Sequence, residues 1–351
     1  MTCDRTRLSA ISAPHSKHEH VSEICARDLD MSGDVALTNK EVLVSLVVST
    51  IGRTTPLERL FVSLLTQDHK NFEVIVVDQN HDNRLAPLFE DGRWTFPLRR
   101  LRTPGELGLS RGRNSGSKCS EGSVIVFPDD DCWYPPWFLA RGLALMASTG
   151  ADFLCGRAAD EDGRSVNGRY ELTAQPINRS NVWTAGIEWT IFLKRAAILA
   201  VGGFDPEIGI GASTPWQACE GQDLMLRALA NRQKGYFDPS IYGYHAPFDI
   251  EVEAGSQGKA RKYGRGLGHV LRVHRYGAWS VVKWIGRPVI GAIVYFVRGN
   301  FKRVQYYRSV AIGRFEGWSG RLIGSLQDDP GDKGLWHSQG GYSGTRKGRT
   351  H

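Results

Sequence analysis

The sequence has no CxxC pair and no Cys and His residues at the spacing a zinc site needs; its six cysteines (Cys3, Cys25, Cys119, Cys132, Cys155 and Cys219) are widely scattered. That pattern excludes a structural zinc module and a disulfide framework, and it leaves reduced thiols. The apolar core of a secretory leader is missing as well. Residues 1–41 are polar, and their three histidines, His15, His18 and His20, follow no ligand spacing. They read as a disordered extension, and the chain reads as cytoplasmic. There is no internal repeat. The loop after the first apolar run holds only Gly52 where a GxGxxG would be needed, which argues against a dinucleotide-binding oxidoreductase; the GRGLG at 264–268 stands in the wrong context for one.

What is present suits a globular chain. Of 351 residues 41% are hydrophobic and 23% charged, so one main core with attachments is expected. The net charge of +7 is unevenly spread: residues 251–325 hold 14 Lys and Arg against 3 Asp and Glu, while the rest of the chain carries −4. Such a segment can face nucleic acid, an anionic membrane surface or water, and charge alone does not choose. Tyr263, Leu267, Val270 and Leu271 fall at helical spacing there. Residues 278–297 are apolar but broken by Lys283, Arg287 and Pro288, which favours surface or interfacial helices over a transmembrane one. From about residue 327 the chain is Gly-rich and polar and reads as a disordered tail.

Residues 42–49 (VLVSLVVS) and 72–77 (FEVIVV) are nearly continuous apolar runs, the pattern of strands buried on both faces. A third run, 123–127, ends just before Asp129, and Ala151–Cys155 is a further strand candidate. A helix is expected after the first strand, with Thr55 as its cap, Pro56 at its first position and Glu58 completing a capping box. Leu57, Leu60, Phe61, Leu64 and Leu65 share one of its faces, and residues 223–230 read as another helix with Asp223 in its first turn. This alternation describes an open α/β sheet, whose ligands bind beyond the carboxyl ends of the strands.

Chemistry-bearing residues collect at those ends. FPDDDC at 127–132 places Asp129, Asp130 and Asp131 directly after a buried strand. Their repulsion calls for a counter-charge, and Mg²⁺ or Mn²⁺ bound by one or two carboxylates keeps positions open for substrate phosphates. An acidic turn is the plainer reading. Asp78 closes the second strand, placed to meet a base or ribose or simply to form a turn. Arg111, Arg113 and Asn114 offer donors for phosphate or form an exposed helix. Glu220 and Asp223, three apart at a helix start, are candidates for a general base, although first-turn acids also serve the helix dipole. Trp183, Trp189 and Trp216 are candidates to line an acceptor site, with burial in the core the alternative.

Taken in order, these residues resemble the inverting glycosyltransferases of family 2, which have the GT-A fold. The likeness covers roughly residues 42–250. It runs from the Val-rich strand into Ser49-Thr50-Ile51-Gly52-Arg53, through EVIVVD ending at Asp78, GLSRGRN at 108–114 and FPDDDC, to VGGFD at 201–205, GIGASTPW at 209–216, EGQD at 220–223 and Tyr244-His245. The resemblance implies a GT-A domain over 42–250, an open and mostly parallel sheet flanked by helices; the segment over 251–326 is expected, from its positive charge beside a broken apolar stretch, to be a basic helical extension able to associate with membrane. The resemblance also implies a hexosyltransferase-like, metal-assisted transfer of a sugar from a nucleotide-sugar donor to an acceptor hydroxyl, with inversion, in glycan, polysaccharide or glycolipid synthesis. Asp78 and the Thr50, Gly52 and Arg53 loop would hold the nucleoside. Arg113, Asn114, Asp129 and Asp130 would contact the donor. Asp131, with Asp129 and His245, would hold Mn²⁺ or Mg²⁺, and Asp223 would be the base. The family often shows an adjacent Glu-Asp pair at that position, whereas here Gln222 precedes Asp223 and Glu220 lies one turn earlier, so Glu220 stays a second candidate. The expected partners are the donor, a glycan or lipid-linked acceptor and an anionic membrane surface at the inner face, with no nucleic acid. A sugar nucleotidyltransferase and a non-catalytic GT-A-like binding module are the rival readings.

Overall fold

The computed structural model describes residues 41–90, 92–251 and 255–323; apart from Glu41, the extension expected over 1–41 and the tail expected over 327–351 lie outside these residues. Strands β1 (Val44–Thr50), β2 (Phe72–Asp78), β3 (Leu98–Arg102), β4 (Val124–Val126), β5 (Phe153–Ala159), β6 (Gln175–Ile177), β7 (Phe192–Lys194) and β8 (Gly235–Tyr244) form one sheet in the order β3-β2-β1-β4-β7-β5-β8-β6. β7 runs antiparallel to β4 and β5, and β6 antiparallel to β8, while the other six strands share one direction.

The apolar runs explain the centre of the sheet. Every residue of β1 and β2 is buried, and the two strands pair in parallel from Val44–Phe72 to Thr50–Asp78. Successive β1 side chains enter opposite cores. Val44, Leu46 and Val48 meet Leu57, Leu60, Phe61 and Leu64 of α1 (Thr55–Leu65). Val47 belongs to the other core, with Ile75, Val77, Leu224 and Met225. β2 lies on one side of β1 and β4 on the other, so the chain changes direction across the sheet at β1. The crevice beyond the carboxyl ends of β1 and β4 is the switch point where open α/β sheets bind ligands.

Six further elements surround the sheet: α2 (Ala86–Glu90), α3 (Leu109–Lys118), α4 (Phe138–Thr149), α5 (Arg195–Ala200), α6 (Glu220–Ala230) and the 3₁₀ turn Glu188–Thr190. α1 corrects one expectation. Thr55 is already helical and Thr54 is the capping position, without a side-chain cap, while the Glu58 carboxylate turns away to Arg93 at 2.8 Å. No capping box forms. α3 lies tight on the sheet because Gly112 and Gly116 lack side chains: a Cβ at either would collide with Ser49 or Val47. That approach brings Arg113, 1% exposed, beneath the switch point.

The basic segment forms three helices, α7 (Ser256–Val273), α8 (Ala278–Val297) and α9 (Phe301–Ser319). Gly264 and Gly268 of α7 press against the backbone of α9, and Gly313 and Gly317 of α9 against that of α7, so these glycines are a helix-packing stripe. Buried Glu316 accepts hydrogen bonds from Arg261 and Arg265 across the same seam. On its other side α7 grips the sheet domain: Gly266 meets the Ala218 backbone, His269 stacks on Trp216 at 4.5 Å, and His274 donates to Asp223 at 2.8 Å. α8 presents Trp279, Val282, Ile290, Ile293, Phe296 and Val297 to solvent along one face. It is the one helix among the described residues long and apolar enough, by length and composition, to cross a membrane.

Candidate active site

The switch point assembles residues from both halves of the chain. Thr50, the last residue of β1, donates through Oγ1 to Asp130 Oδ2 at 2.6 Å. Arg53, just beyond, spans the acidic run: one guanidinium nitrogen lies 2.6 Å from Asp130 Oδ1 and 2.6 Å from Asp131 Oδ2. Arg113 rises from below, 2.8 Å from Asp129 and 3.4 Å from Glu220. The three adjacent carboxylates thus meet two guanidinium groups from separate elements, which the repulsion between them demands. Burial raises the Asp129 carboxyl against the Arg113 charge, and burial likewise pushes Asp130 up to about 6 against Arg53. Burial would raise Asp131 too, but the His245 hydrogen bond and the Arg53 charge outweigh it and take the group down to about 2.

His245 follows β8 and stacks on Trp189, with ring centroids 5.0 Å apart and Nε2 3.4 Å from Asp131 Oδ1. Burial opposes its protonation, yet the facing Asp131 raises its pKa. Both side chains keep access to solvent. No group of three or more metal-binding side chains occurs among the described residues. A carboxylate beside an imidazole, both reachable, is a donor set that fits a Mg²⁺ or Mn²⁺ ion completed by substrate phosphates and water.

Glu188, which sequence spacing did not single out, belongs to this site. It opens the 3₁₀ turn next to Trp189, and its side chain projects toward the start of α6, where position 221 is glycine. A Cβ at Gly221 would lie 2.5 Å from Glu188 Cγ and 3.0 Å from Oε1. Burial, then the neighbouring Glu220 charge, raise Glu188 to about 7. Among the described residues no other residue donates a hydrogen bond to this carboxylate.

The other candidates sit at a distance from this cluster or are already engaged. Asp78 is fully buried; its two oxygens accept from Arg100 at 2.6 Å and from the Asn80 side chain at 2.7 Å. Asn80 in turn accepts the Gly52 N–H at 2.7 Å, so Asp78 shapes the Thr50–Arg53 loop through a residue that the motifs passed over. Asn114 exchanges two hydrogen bonds, each 2.8 Å, with the backbone of Phe204. Arg111 pairs with Glu207 on the surface. Asp223 is 3% exposed and held by Arg227 and His274, each at 2.8 Å. Burial opposes its ionisation, but those two partners prevail and lower its pKa. Of the three tryptophans only Trp189 reaches the cluster. Trp216 anchors α7, and Trp183 packs on Tyr276 and Trp284.

An open, mostly parallel sheet with acidic and basic side chains gathered at its switch point is the GT-A architecture. Residues 45–195 match the family described as Glycosyl transferase family 2. The chain is 26% identical over 196 residues to an uncharacterized glycosyltransferase of Haemophilus influenzae, covering 53% of this chain and 62% of that protein. It is 21% identical over 189 residues to glycosyltransferase AglE of Haloferax volcanii, with 51% and 62% covered. The match thus spans less than two thirds of either relative. Among solved structures, mannosyltransferase PcManGT of Pyrobaculum calidifontis, in complex with GDP-Man and Mn²⁺, superposes with a TM-score of 0.57 at 13% identity, covering 86% of this chain and 93% of that one. At that identity the likeness is one of fold.

Proposed function

We propose that this protein transfers a hexose from a nucleotide-sugar donor to an acceptor hydroxyl with inversion at the anomeric carbon. The observation that carries this reading is the meeting of Arg53, Arg113 and three consecutive aspartates with two further acids, Glu188 and Glu220, at the switch point of a family 2 domain. Thr50, Gly52, Arg53 and Asp78 would shape the nucleoside end of the cleft, and Asp129 and Asp130 the diphosphate and sugar end. Asp131 and His245 would hold a divalent cation, as the Mn²⁺ bound by PcManGT also suggests. When bound, that ion supplies charge that stabilises the departing diphosphate.

In a single displacement the acceptor oxygen bonds to the anomeric carbon while the carbon–oxygen bond to the diphosphate breaks, and the nucleoside diphosphate leaves with the electron pair. The acceptor proton must go to a base. Glu188 fits this task better than Asp223: a carboxyl poised near neutrality with free lone pairs accepts a proton readily, whereas one whose pKa is lowered by the His274 hydrogen bond and Arg227 does not. Glu220, fixed against Arg113, would position Glu188 and maintain its raised pKa. Asn114 would act as a strut for α3.

The exposed apolar face of α8, set in a segment that is strongly basic, supports attachment at an anionic membrane surface on the cytoplasmic side, and with it a lipid-linked or membrane-bound glycan acceptor. Assay of the purified chain with nucleotide-sugars tests the transferase reading. Release of a nucleoside diphosphate supports it, and release of pyrophosphate from a nucleoside triphosphate and a sugar phosphate would instead mark a nucleotidyltransferase.

A further inference from the structure

A cavity of about 420 Å³, with none of the acidic cluster's residues in its lining, lies between the loop after β6 and the corner joining α7 to α8. Among the described residues three cations line it, Arg179, Arg275 and Lys283, together with the rings of Trp183, Tyr276 and Trp284 and no carboxylate. Its framework is built. Arg179 lies over the Tyr276 ring at 4.7 Å and donates to the His274 carbonyl at 2.7 Å, while the Tyr276 hydroxyl donates to the Arg179 carbonyl at 2.7 Å. Arg275 holds φ at +52°, a left-handed conformation that favours glycine or asparagine, so a long cation stands where the backbone prefers a small residue. Among the described residues neither Arg275 nor Lys283 meets an acidic partner. The first turn of α8 opens on the same space without a side-chain cap, adding the positive end of a 20-residue helix.

One wall of the cavity leads onto an apolar surface. Trp279, 80% exposed, stands on its rim and begins the stripe that continues through Val282, Ile290, Ile293 and Val297. A group of converging cations that opens directly onto exposed hydrocarbon matches an anionic head carrying an apolar tail. We propose that this cavity binds the phosphate or pyrophosphate head of a membrane amphiphile. The lipid source rests on the membrane reading above; the phosphate chemistry does not. Aromatic walls and planar guanidinium groups suit a phosphate with a bulky substituent, and the cations offer charge-assisted hydrogen bonds to its oxygens.

The test uses the full chain, phosphatidylcholine vesicles with and without phosphatidic acid, and inorganic pyrophosphate in metal-free buffer. The probing variant combines Arg275→Gly, which removes a cation where glycine suits the backbone, with Lys283→Ala. The control combines Arg298→Ala with Arg308→Ala, an equal loss of charge outside the cavity. Acidic vesicles are expected to bind the wild type, and the cavity variant to bind at least about tenfold more weakly than the control, the loss of two charge-assisted contacts. Pyrophosphate binding lost by the cavity variant alone, with no vesicle binding by any form, would keep the phosphate site and remove the membrane reading. Equal weakening of variant and control, or a cavity variant that matches the wild type with both ligands, would overturn the proposal.

Discussion

The Glu188 side chain stands where a side chain at Gly221 would have to pass, 2.5 Å from the position of its Cβ. The start of α6 thus lacks a side chain at the point where another element delivers a carboxylate. If Glu188 is the base, Glu188→Gln slows transfer by about 10²–10⁴-fold with donor affinity little changed. Gly221→Ala, which pushes Glu188 aside, slows it by about tenfold to a hundredfold through misplacement. A silent Glu188→Gln variant removes this assignment.

Glu188 also sets a pH dependence. With its carboxyl raised to about 7, the basic form grows as pH rises through 7, and kcat is expected to climb over that interval. Stability moves the other way. The folded chain holds this proton more tightly than the unfolded one, so this contribution is present at low pH and is lost as pH rises from the ordinary 4.5 to about 7. Denaturant titrations should show that slope in the wild type and a flatter one in Glu188→Gln.

Asp223 joins α6 to α7 through His274, and its removal is expected to cost stability first. Asp223→Asn breaks a buried ionic contact, an effect of about 3 kcal/mol, while turnover measured well below the melting temperature stays near the wild-type value. The lowered pKa gives the sign: stabilisation is present above the ordinary 3.8 and is lost as pH falls through the folded value. A stable variant with turnover reduced by about 10²-fold or more would return the base to Asp223.

The parts of this molecule readable from sequence are those where one residue type dominates a run. β1 and β2 announce themselves because strands buried on both faces need unbroken Val, Ile and Leu, and the acidic run because three adjacent carboxylates after such a strand are costly without a purpose. β3 escaped notice: LRRLR interleaves leucine with arginines that reach to Asp78, Glu73 and Cys119, so its pattern reflects contacts made only after folding. Glu188 lies far from α6 along the chain and carries no spacing signal. The same holds for His274, whose partner Asp223 had a plausible local role at a helix start. The glycines of α7 and α9 look like breakers until the two helices are set side by side.

Asp131 and His245 yield a binding prediction independent of turnover. A Mn²⁺ and nucleoside diphosphate pair held at about a hundred times its dissociation constant stabilises a protein by about 2.7 kcal/mol, so the wild type should melt several degrees higher with both present. Asp131→Ala should melt as the unliganded form does and lose that shift. An unchanged shift would move the ion elsewhere.

The central claim is that the cluster around Arg53 and Asp129–Asp131 turns over nucleotide-sugars. Purified full-length protein with Mn²⁺, a panel of UDP- and GDP-sugars and a membrane-derived acceptor fraction permits a direct measurement: nucleoside diphosphate released, with sugar transferred in equal amount. The expected result is release from one donor class that depends on the acceptor fraction and disappears in excess chelator and in Asp131→Ala. Release unaffected by chelator and by Asp131→Ala, or no release from any donor by a protein that binds none of them, would contradict it.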